Sequence, residues 1–150
     1  MELGAVARMA WPVRSATTME RAYLRPGTQC LEGLFDFVLA FFTACYHLRD
    51  WLLRDEPSVQ ADIDRLFADS KALRLSADIA NTAKHFDLTR LPPAGRQLSF
   101  AREHVPGGMG WFGRDGRLVV LSDGEKIDVL YLATEAEQAW TAFLRERGCS

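Results

Sequence analysis

The chain has 150 residues, of which 48% are hydrophobic, 25% charged and 11% aromatic, and its formal net charge is -2. That suffices for one domain with its own core and is too little for two. The balance excludes wholesale disorder, and it excludes a strongly basic domain held to nucleic acid by charge alone.

In chain order, residues 1–14 carry no sustained apolar run, so a weakly ordered segment is expected there rather than a signal peptide. Residues 15–150 are expected to form one domain. Thr17-Thr18-Met19-Glu20 offers a capping box for a short helix that Pro26-Gly27 would end. From Gln29 to Arg54, Leu31, Leu34, Phe35, Val38, Phe41, Cys45, Leu48 and Leu52 recur at helical spacing and predict a long helix. Its most apolar run, Leu34 to Leu48, is broken by Asp36 and is shorter than the ~18 residues of a membrane span. No membrane contact is expected. Asp55-Glu56-Pro57 closes this helix, and Pro57 opens a second one near the first helical position. That helix carries Val59, Ile63, Leu66 and Phe67 and ends near Ser70. A third runs from Lys71 to Phe86 on Ala72, Leu75, Ile79, Ala83 and Phe86.

Leu91-Pro92-Pro93 breaks the helical pattern. Gln97 to His104 alternates weakly, as an edge strand would. Gly107-Gly108-Met109-Gly110 reads as a flexible turn, because it lacks the Lys-Ser/Thr and the strand-to-helix setting of a phosphate cradle. Trp111-Phe112, Arg117 to Leu121 and Lys126 to Leu132 read as strands, with Asp115-Gly116 and Asp123-Gly124 as turns between them. Thr134-Glu135-Ala136-Glu137 offers a capping box for a last helix with Ala136, Trp140, Phe143 and Leu144 inward, ended by Gly148. The expected fold is therefore mainly α: a helical bundle with a C-terminal three-stranded antiparallel β-meander, at about 111–132, before the last helix.

The cysteines are Cys30, Cys45 and Cys149, an odd set without a CxxC pair. Neither a disulfide scaffold nor a zinc ribbon is expected. Cys30 and Cys45 on one helix would be about 22 Å apart, beyond any disulfide. A reducing, cytoplasmic location is the simpler expectation.

Two polar stripes are the candidate chemistry. On the long helix Asp36, Thr43, His47, Asp50 and Arg54 share one narrow direction, while Phe37, Leu39, Phe42, Tyr46, Trp51 and Leu53 widen the apolar arc. On the third helix Arg74, Asp78, Asn81 and His85 follow at spacings of four, three and four. A polar stripe opposite an apolar face is also what any surface helix carries. If instead the stripes met in one cleft, a His beside carboxylates there would be placed for general acid–base work.

Asn81-Thr82-Ala83-Lys84-His85 resembles the polar helix motif of the HEPN superfamily, small helical-bundle domains of prokaryotic toxins and defence systems. Tyr46-His47-Leu48-Arg49-Asp50-Trp51, followed by Asp78-Ile79-Ala80-Asn81 and Lys84-His85, also resembles a group of bacterial proteins over Leu34 to Leu88. The resemblance implies a HEPN-like scaffold, usually dimeric, in a defence, toxin–antitoxin or mobile-element setting. In active members it implies a metal-independent ribonuclease. His85 would then be the general acid/base, assisted by Asn81 and His47, with Asp50, Arg54, Arg74, Asp78 and Lys84 binding. The chain departs from the motif at the arginine position, which is Ala80. A methyl group offers a phosphate neither charge nor donors.

The expected function is thus a HEPN-like binding or regulatory domain. The first alternative is the ribonuclease using His85. A second alternative is a bundle metal site from His47, Asp50, Asp78 and His85, resting on the i, i+3 spacing of His47 and Asp50; no metal or cofactor is part of the leading expectation. A homodimer through the long helix, 29–54, is expected from its surplus apolar surface, with RNA or a protein as further partner.

Overall fold

The structure is a computed structural model that describes residues 31–84, 98–104 and 116–148. Helix α1 spans Leu31–Asp55, a short 3-10 turn spans Pro57–Val59, α2 spans Gln60–Asp69 and α3 spans Lys71–Lys84. Strands β1 (Leu98–His104), β2 (Gly116–Ser122) and β3 (Glu125–Asp128) follow, and α4 (Val129–Glu146) ends the fold. The expected class is observed: mainly helical, with a three-stranded antiparallel sheet in the order β1-β2-β3 before the last helix.

The junctions between α1, α2 and α3 have local causes. Glu56 precedes Pro57 and lies outside the α region (φ -145, ψ 85), where the proline ring sends its predecessor. Its N–H still donates to Leu52 O at 2.8 Å, and α1 stops there. Ser70 serves two helices. Its N–H donates to Leu66 O at 3.0 Å, finishing α2, and its Oγ accepts from Leu73 N–H at 3.3 Å, starting α3.

The sheet differs from expectation in its strands. Its first strand is Leu98–His104, and β3 stops at Asp128 rather than Leu132. Trp111-Phe112 and the Gly107–Gly110 turn lie outside the described residues, as do Asp115 and the segment before the long helix. Gly116 begins β2. Between β2 and β3, Asp123 (φ 51) and Gly124 (φ 80) both take the left-handed region, as a two-residue type I′ hairpin turn requires. Register places Phe100 opposite Val120, and Val120 opposite Ile127. Val120 and Ile127 are buried, and the Phe100 ring meets Phe35 of α1 edge-on at 5.0 Å.

The last helix starts five residues before the capping box. The Asp128 carboxylate caps it, accepting from Leu130 N–H at 2.9 Å and Tyr131 N–H at 3.1 Å. Thr134 sits inside the helix, and its hydroxyl donates to Leu130 O at 2.9 Å. Val129, Leu132, Ala133, Ala136, Trp140, Phe143 and Leu144 are all buried, at one helical period.

Helix α4 is keyed into α1 and α2. Trp140 is 3% exposed, and its indole N–H donates to the Cys45 carbonyl of α1 at 3.0 Å. Its ring lies edge-to-face with Phe67 and Phe143, each at 5.9 Å, and Phe67 in turn meets Tyr46 at 6.4 Å. At the far end Arg147 pairs with Asp62 of α2 and covers the Phe143 ring at 4.8 Å. Burial, with Glu137 adding to it, pushes the Cys45 thiol up to about 12, so this cysteine is a small core residue and no nucleophile.

Candidate functional site

Among the described side chains of α1, Val38, Phe41, Phe42, Cys45, Leu48 and Leu52 are buried. At about 100° per residue, Asp36, Thr43, His47, Asp50 and Arg54 point about 180° away from their mean direction. On α3 the buried set is Ala72, Leu73, Leu75, Ser76, Ile79 and Ala80, and Arg74, Asp78 and Asn81 again lie opposite. The two helices pack on each other through their buried sides. Both stripes are therefore carried on outward faces. Asp36, Asp50, Arg54 and Asn81 are exposed, whereas Thr43, His47, Arg74 and Asp78 are half-buried. The stripe of the long helix is therefore exposed in part, at Asp36, Asp50 and Arg54. The wide apolar arc of this helix is accommodated by half-burial of Phe37, Leu39, Trp51 and Leu53 along the flanks.

Among the described residues, His47 and Asp50 meet. His47 Nδ1 lies 3.1 Å from Asp50 Oδ2, one turn on, with side-chain exposures of 31% and 55%. A carboxylate oxygen accepts, so the contact orients the ring with Nδ1–H toward Asp50 and turns Nε2 away from it. The arrangement can present an oriented imidazole at the surface, and as an exposed i, i+3 pair it adds only about 0.2–0.5 kcal/mol to the helix.

Arg74 is turned to a structural use. Its guanidinium donates to Phe67 O at 3.2 Å and to Ala68 O, carbonyls in the last turn of α2 that no helical N–H reaches. A cation there also meets the negative end of the α2 dipole. Lys84 closes α3, and His85 lies outside the described residues. Ala80 is fully buried.

Arg49 of α1 lies off the polar stripe. It falls on the apolar arc, about 20° from Phe42 around the helix. Its Nη2 is 3.6 Å from Asp64 Oδ1 and its guanidinium stands 5.9 Å from the centre of the Phe67 ring. Its Nε is buried without a hydrogen-bond partner. A lone cation inside an otherwise apolar arc was the available signal, and it marks the α1–α2 seam.

On the sheet, Glu103 of β1 accepts from Arg117 of the adjacent strand β2 and from Lys126 of β3 beyond it, and these contacts keep its carboxyl below the usual range. Among the described residues no three His, Cys, Asp or Glu side chains gather as a metal site would need. No helix among them is long and apolar enough to cross a membrane. No family model matches the chain, and neither a curated protein nor a solved structure does.

Proposed function

We propose that the chain is a binding or regulatory domain on a HEPN-like scaffold, acting through the outward faces of α1 and α3 and not by cleaving RNA. The observation that carries this is the burial of Ala80. The motif would need a guanidinium at that position beside the substrate phosphate, and here the position faces the core. The remaining stripe arginine on α3, Arg74, is engaged by the end of α2. The outward faces carry polar groups, the His47–Asp50 pair, Arg54, Asp78 and Asn81, beside the half-buried apolar flank of α1. That composition suits a contact surface, with exposed polar groups beside apolar area that a partner could complete.

The same flank of α1 is proposed to carry a homodimer contact. Sedimentation showing only monomer at every concentration reached would discard that part and leave the binding reading in place. The defence, toxin–antitoxin or mobile-element setting is proposed from the resemblance alone. The discriminating experiment is incubation with RNA in EDTA. The reading expects no cleavage that depends on His85, so wild type and His85→Ala behave alike. Cleavage by wild type that disappears in His85→Ala would overturn it.

A further inference from the structure

We draw no further inference here: the strongest candidate, the outer edge of the sheet along Leu98–His104, which meets no further strand among the described residues, carries nothing because nothing in the structure shows what covers it.

Discussion

Cys45 and His47 stand two residues apart on one helix and live in different environments. Cys45 lies in the seam with α4, where its carbonyl takes the Trp140 N–H and an edge-to-face chain of Tyr46, Phe67, Trp140 and Phe143 crosses three helices. About 200° around the helix, His47 touches Asp50 on its own helix and is 31% exposed. The seam is built from contacts between residues far apart in sequence. The outward face is built from a contact within a single turn. Stability is therefore concentrated on one side of α1, and the side that carries the candidate chemistry is left free to change without unfolding the domain.

The largest effect expected from this contrast is at the seam. Trp140→Ala removes a nearly fully buried ring and its hydrogen bond, and should cost about 3–5 kcal/mol in urea unfolding. A loss under ~1 kcal/mol would mean that the seam is not where the fold is held. An intermediate effect belongs to the start of α4. Asp128→Ala should cost about 1 kcal/mol, because it frees the N–H groups of Leu130 and Tyr131. Thermal unfolding that leaves Asp128→Ala at the wild-type midpoint would return the helix start to another residue. The smallest effect is expected on the outward face. Asp50→Ala should change stability by no more than ~0.5 kcal/mol, as its side chain is half in water. A penalty of ~2 kcal/mol or more would place the stripe in a paired, water-excluded setting.

The seam was the more legible half. Periodicity alone picks out Val38, Phe41, Cys45, Leu48 and Leu52, and later Ala136, Trp140, Phe143 and Leu144, all of them buried. Phe42 also joins the core, so the buried arc of α1 is wider than the central apolar row. The start of α4 was misplaced because two signals competed. Ile127, Val129 and the aromatic Tyr131 read as a strand, and Thr134 heads a good capping box, yet Asp128 offers a cap six residues earlier that lets Val129, Leu132 and Ala133 join the helical row. The first strand was underrated because its alternation fails at Ala101, which is half-buried between Phe100 and Arg102.

The site was legible as a list of residues and illegible as an arrangement. Spacing gives the direction of each side chain around its own helix, so it correctly grouped His47 with Asp50. It does not give which groups on other elements a stripe residue will meet. Arg74 shows the limit most clearly. Its place in the stripe follows from the sequence, but its bonds to Phe67 O and Ala68 O depend on the turn at Ser70 that folds α2 back beside it.

The orientation of α3 is the point on which the proposed function stands, and placing an arginine at position 80, where the proposed motif would carry one, tests it most directly. Ala80→Arg would force a guanidinium into a fully buried position without a partner, so the variant should lose about 3–5 kcal/mol in urea unfolding and gain no RNA cleavage in EDTA. A variant as stable as wild type that now cuts RNA would contradict the account, because position 80 would then face substrate and the scaffold would be a nuclease lacking one side chain.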